Sequence, residues 1–197
     1  MGDVARRQHI VNDAYDLGPM PLDRSSSTVD ERLVRAPASR IFSLAADVEA
    51  WPKHLPHYRY VRFLERRRDG GGTVEMSASR PFGVFDWPTW WTSLMAVAAP
   101  SSSSNGSIRF RHVRGITSGM EVEWTFAPRE TGTLVRIVHV WNGPRWPVIR
   151  EVAAHALIGP IFVHGIASRT LAGLGHAAEA FGDSSPSVAP SSGETSG

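Results

Sequence analysis

The stretch "GMEVEWTFAPRETGTLVRIVHVW", from Gly119 to Trp141, decides the fold class. Residues two apart on a strand share one face. Counted by twos, Met120, Val122, Trp124 and Phe126 fall together, and so do Val135, Ile137, His139 and Trp141. Two such runs joined by a short polar segment read as an antiparallel hairpin with one buried face. Working backwards, "SIRFRHV" (Ser107–Val113) alternates in the same way and puts Ile108, Phe110 and His112 on one face. "FDWPTWWTSLMAV" (Phe85–Val97) reads as a strand that is bent, or at an edge, near Pro88. "YRYVRFLERR" (Tyr58–Arg67) and the strand beginning at Thr73 are joined by the turn Asp69–Gly72.

Towards the N-terminus, "TVDERLVRA" (Thr28–Ala36) is a first strand, and "PASRIFSLAADV" is a helix with Pro37 in its first turn. "EAWPKHLP" is a short helical segment broken by Pro52 and Pro56. Towards the C-terminus, helix is expected from about Pro147 to Phe181, kinked at Gly159-Pro160. The order is strand, one or two short helices, about six strands, long helix. It predicts an α+β fold: a curved antiparallel sheet of about seven strands around a C-terminal helix, with a cavity between them. Residues 28–181 form this domain, residues 1–27 a flexible N-terminal segment, and the Ser/Pro/Gly-rich residues 182–197 a disordered tail.

Composition narrows the function. The 197 residues carry no cysteine, so disulfides and thiolate metal sites are excluded, which suits a reducing cytoplasm. Lys+Arg and Asp+Glu number 21 and 19, a balance that argues against nucleic acid as a partner. The apolar run Val152–Ala167 holds two histidines and a Gly-Pro pair and is short for a membrane span. The eight histidines show no metal-ligand spacing, and His155 and His164 fall on roughly opposite helix faces, so no metal and no cofactor are expected. GxSxG, P-loop and GxGxxG motifs are absent. Arg66, Arg67 and Arg68 read as a solvated strand edge.

One residue breaks the pattern. On the strand of "TVEMSASRPF", the positions Val74, Met76, Ala78 and Arg80 share a face, and three of the four are apolar. A buried cation without a partner is very costly. Arg80 therefore either reaches out to solvent at the strand end or calls for a partner: a carboxylate such as Asp86 or Glu75, water, or ligand oxygens in a cavity. A guanidinium stays charged near neutral pH, so in a cavity its role is to bind and polarise ketone or enolate oxygens.

The element order over about residues 28–181 resembles the START-like (SRPBCC) helix-grip superfamily. "IFSLAADVEAWPKHLPHY" resembles the stretch after the first strand in polyketide aromatase/cyclases and in coenzyme Q-binding proteins. "ASRPFG" followed by "FDWPTWWTS" resembles the arginine-proline strand end and tryptophan-rich strand of the aromatase/cyclases. The chain departs from them at Gly159-Pro160, where the long helix is usually continuous. The resemblance implies a cavity for a hydrophobic small molecule: a polyketone guided through aldol cyclisation and dehydration, or a lipid, isoprenoid quinone or aromatic metabolite carried without chemistry. It places Arg80 and Tyr58 as catalytic anchors and Trp51 at the entrance side. Periodicity adds Met76, Ala78, Trp87, Trp91, Phe110, His112, Trp124 and His139 as candidate substrate-binding residues. Of these, the histidines suit general acid–base work and the indoles suit stacking on a flat ligand.

Overall fold

The alternating runs pair as their patterns require. A computed structural model describes residues 10–11, 16–82, 85–101, 104–115, 117–143 and 160–180, without the side chains of 10–11, 80–82, 85–87 and 160–164. Its strands are β1 (Ile10–Val11), β2 (Ser26–Val34), β3 (Tyr58–Arg67), β4 (Gly72–Phe82), β5 (Phe85–Ala98), β6 (Ser107–Gly115), β7 (Glu121–Arg129) and β8 (Gly132–Trp141). They form one sheet in the order β1-β3-β4-β5-β6-β7-β8-β2. β2 to β8 make seven antiparallel strands, and β1 adds a two-residue parallel edge beside Arg66 and Arg67. The β7–β8 hairpin pairs Val122 with His139 and Trp124 with Ile137. Among the described residues, 85–90 of β5 pair with β4 alone, and β6 joins at Trp91 opposite Gly115. Pro88 therefore stands where its missing N–H costs no second ladder.

Helix α1 (Ala38–Ala46), capped by Pro37, a 3₁₀ turn (Val48–Ala50) and α2 (Trp51–His54) connect β2 to β3. Helix α3 is Pro160–Ala180. Residues 144–159, including the first part of the expected long helix (147–159), His155 and the Gly159 half of the expected kink, lie outside the described residues. Ala167, Leu171, Leu174 and Ala178 recur at helical spacing and are buried against the sheet's inner face. The C-terminal half of α3 packs most closely. A Cβ on Gly173 would come within 2.4 Å of Leu55 and 3.1 Å of the His54 carbonyl, and one on Gly175 within 2.9 Å of Arg32. Glycine here is what brings the helix down onto α2 and β2.

On the outer face, charges meet in pairs. Glu121, with its side chain 4% exposed, accepts from Arg109 at 2.6 Å and from Arg111 at 3.0 Å. The same arginines donate to the carbonyls of Gly18 and Leu17, and Leu17 is buried. Within the segment expected to be flexible, residues 16–18 are thus tied to the sheet, and Ser26 and Ser27 already belong to β2. In the basic run, Arg66 pairs with Glu49 at 2.9 Å and Arg67 with Glu65 at 3.3 Å.

Replacing Gly173 by Val forces branched bulk against the backbone of α2. The expected loss of stability is about 1–3 kcal/mol. Urea unfolding of the two proteins checks it; an unchanged midpoint would contradict the close approach.

Candidate functional site

Between the N-terminal half of α3 and the inner faces of β4 to β8 lies a cavity. Its space open to the centre of a water-sized sphere is about 60 Å³. That is room for roughly four waters, so a ligand of several rings requires the walls to part. Trp51, Tyr58, Trp91, Phe110 and Trp124 supply aromatic surface. Their rings brace one another: Trp51 stands edge-on to Tyr58 at 5.2 Å and lies 5.8 Å from Trp124, centroid to centroid. Such pairs add about 0.5–1.5 kcal/mol each beyond the area they bury. Gly115 (φ 88°) lets β6 run against β5, since a Cβ there would sit 2.3 Å from the Trp90 carbonyl oxygen. That approach sets the position of Trp91.

Four polar residues punctuate the walls beside Tyr58. The ring of His112 stacks on Trp91 (5.9 Å, 25°), and its Nδ1 lies 2.7 Å from the Thr117 hydroxyl. Thr170, on α3, presents a hydroxyl 3.1 Å from His57 Nε2. The His139 side chain makes no hydrogen bond among the described residues, and its Nδ1 is buried without a partner. Its side chain lines the cavity. Burial accordingly pushes the imidazole down to about 3, because the cation would lose its hydration. His139 is therefore neutral at physiological pH and can donate or accept a hydrogen bond but holds no charge there. No acidic or cationic side chain stands in the described wall.

The structure brings eight of the candidates together around this space: Trp51, Tyr58, Met76 and Trp91 from α2, β3, β4 and β5, then Phe110, His112, Trp124 and His139 from β6 to β8. Ala78 is buried on the inner face of β4 but is not a wall residue. Its register partner Tyr58 is the one that reaches the cavity. Arg80 continues the same strand opposite Trp87, and both side chains, like that of Asp86, lie outside the described residues. Glu75 is not positioned for Arg80. It lies on the outer face and accepts from Arg62 Nε at 2.9 Å and from the Tyr60 hydroxyl at 3.3 Å. Among the walls missed in the sequence, Met120, Val122 and Ile137 already lay on the apolar strand faces. Thr117 and Thr170 gave no signal, since one sits in the β6–β7 turn and the other is an isolated threonine on α3.

A curved antiparallel sheet gripping a helix over an aromatic cavity agrees with the sequence comparison. Residues 34–157, more than half of the chain, match the family described as "Polyketide cyclase / dehydrase and lipid transport". The chain belongs to that family. Members of this fold generally take hydrophobic small molecules. Solved structures agree in fold at low identity. The di-domain ARO/CYC StfQ from the steffimycin biosynthetic pathway superposes with a TM-score of 0.62 at 14% identity over 80% of this chain. This chain spans about half of that protein, 52%. The Zhui aromatase/cyclase from Streptomyces gives 0.62 at 17% identity, covering 78% of this chain and 93% of its own. A START superfamily protein from Mycobacterium smegmatis gives 0.54 at 22%, covering 79% and 95%. No curated protein matches the sequence. No described helix is long and apolar enough to cross a membrane.

The buried imidazole has a measurable consequence. Its pKa is lower folded than unfolded, so below about 6.5 the unfolded chain binds the extra proton and stability falls as pH drops towards 3. One such group contributes about 1.4 kcal/mol per pH unit in that window. Urea midpoints at pH 7, 6, 5 and 4 should fall more steeply for the parent protein than for His139→Leu. Parallel curves would show that His139 is not held neutral by burial.

Proposed function

We propose that the cavity holds a hydrophobic polyketone and promotes its aldol cyclisation and dehydration. The observation that carries this reading is a wall of five aromatic rings interrupted by hydroxyls and imidazoles, in a chain of the cyclase/dehydrase family. Flat rings stack on a forming aromatic system, and isolated donors can take the alternating ketone oxygens. Tyr58 offers a phenol from the wall. Arg80, two residues beyond Ala78 on β4, is the proposed cation that stabilises enolate charge as the carbon–carbon bond forms.

A second reading is favoured by one feature: the described wall contains no charged group to drive proton transfer. On that reading the protein carries a lipid, an isoprenoid quinone or a finished aromatic compound.

Two measurements separate the readings. Arg80→Ala, incubated with a synthetic linear polyketone, is expected to lose the parent's cyclised product by about a hundredfold or more, in line with the loss of one oxyanion-stabilising group, while its circular dichroism is unchanged. An unaltered product profile would remove Arg80 from the chemistry. Native mass spectrometry of the purified protein comes next: a co-purifying quinone or lipid, with no turnover of polyketone by the parent, supports the carrier.

A further inference from the structure

A second space adjoins the cavity. Arg24, Arg111 and Glu121 line it, together with Ser118 and Gly119 of the β6–β7 turn. Measured in the same way as the cavity, this cleft offers about 380 Å³. His112 belongs to both walls, so the two spaces meet across one residue. The charges around the cleft do not cancel. Glu121 brings one carboxylate, and both of its oxygens are engaged, Oε2 with Arg109 at 2.6 Å and Oε1 with Arg111 at 3.0 Å. Arg111 spends its Nη2 on the Leu17 carbonyl at 2.7 Å, and its Nη1 holds no hydrogen bond among the described residues. Arg24 is half-buried and makes no hydrogen bond or ion pair among the described residues, and its Nε is buried without a partner. Two of the three acidic or guanidinium groups lining the cleft are therefore cations, and Arg24 is the one that no carboxylate answers. Withdrawing a cation from water is costly unless an acceptor replaces the water. A guanidinium presents a planar fork of donors that matches a carboxylate or a phosphate.

We propose that the cleft takes an oxyanion, a carboxylate or a phosphate, at one end of the ligand whose apolar body occupies the cavity, with Arg24 as its principal partner and Arg111 beside it. The described cavity wall offers an acid no cationic side chain. Past His112, the same group meets a guanidinium with donors to spare. The ligand class is then an amphipathic acid, and a neutral molecule of the same shape binds less tightly. Spanning both spaces requires the imidazole of His112, stacked on Trp91 and bonded to Thr117, to turn aside. The link to the cavity rests on the reading of that cavity as the binding site; the anion half does not.

The test follows the full ¹⁵N-labelled chain by NMR at low salt, where charge is least screened. Three probes are titrated: 4-phenylbutyrate, 4-phenylbutan-1-ol, which differs from it only in its uncharged end, and inorganic phosphate. Backbone amides of Ser118 and Gly119 report on the cleft, and indole N–H signals of Trp51 and Trp124 report on the cavity. Phenylbutyrate should move both sets, the alcohol the indoles, and phosphate the amides. The parent should bind phenylbutyrate about tenfold more tightly than the alcohol. Arg24→Gln should lose that preference while binding the alcohol as before, and Arg24→Lys should keep part of it. Amides that move with neither anion, or a preference that survives Arg24→Gln, overturn the anion site. Phenylbutyrate that moves the amides but not the indoles, as phosphate does, reveals a cleft for free anions and overturns the link to the cavity's ligand. If the alcohol moves no indole signal, the cavity reading fails and the joined site with it, and the phosphate titration still decides whether the cleft takes an anion.

Discussion

The way α3 meets the sheet governs the rest of the molecule. Its C-terminal half lies close on α2 and β2, where Gly173 and Gly175 leave no side chain in the way and Leu174 is fully buried. Its N-terminal half, carrying Ile166, Ala167 and Thr170, stands over the cavity. The helix therefore closes the concave sheet at one end and leaves space at the other. The space persists because its walls are large rings braced against one another. Collapse would have to break contacts such as Trp51 with Tyr58, and Trp91 with His112.

Polarity is divided by the sheet. Outside, arginines and glutamates answer one another across strands, and the most buried of them, Glu121, is shared by Arg109 and Arg111. Breaking such a buried pair leaves an uncompensated charge, so this cluster also secures the Leu17–Gly18 stretch across the outer face. Inside, the described cavity wall carries hydroxyls and imidazoles joined by hydrogen bonds, and one imidazole denied its proton by burial. An interior of that kind discriminates ligands by shape and by the placement of acceptors more than by charge. The family's description, which joins cyclase and dehydrase activity with lipid transport, fits a pocket in which chemistry depends on a few added groups.

The amino-acid sequence by itself determined the strand faces and hence the architecture. Alternation over Met120–Phe126 and Val135–Trp141 admits one buried face per strand, a slip of one residue would turn every apolar side chain outward, and short turns leave only antiparallel pairing. The same periodicity marked the inward residues of β4, β6, β7 and β8, so most of the cavity wall was legible before any coordinate. The tertiary structure alone decided which inward residues meet open space and which meet one another. Ala78 and Met76 share a face of β4, yet only Met76 reaches the cavity, because Tyr58 lies opposite Ala78. Glu75 could have been a partner for Arg80 on composition, but the pleat turns it outward to Arg62. Thr28 and His139 are 111 residues apart, and Thr170 and His57 are 113 apart. No local pattern records such pairs, since they arise only when the edge strand β2 closes on β8 and the helix settles across the sheet.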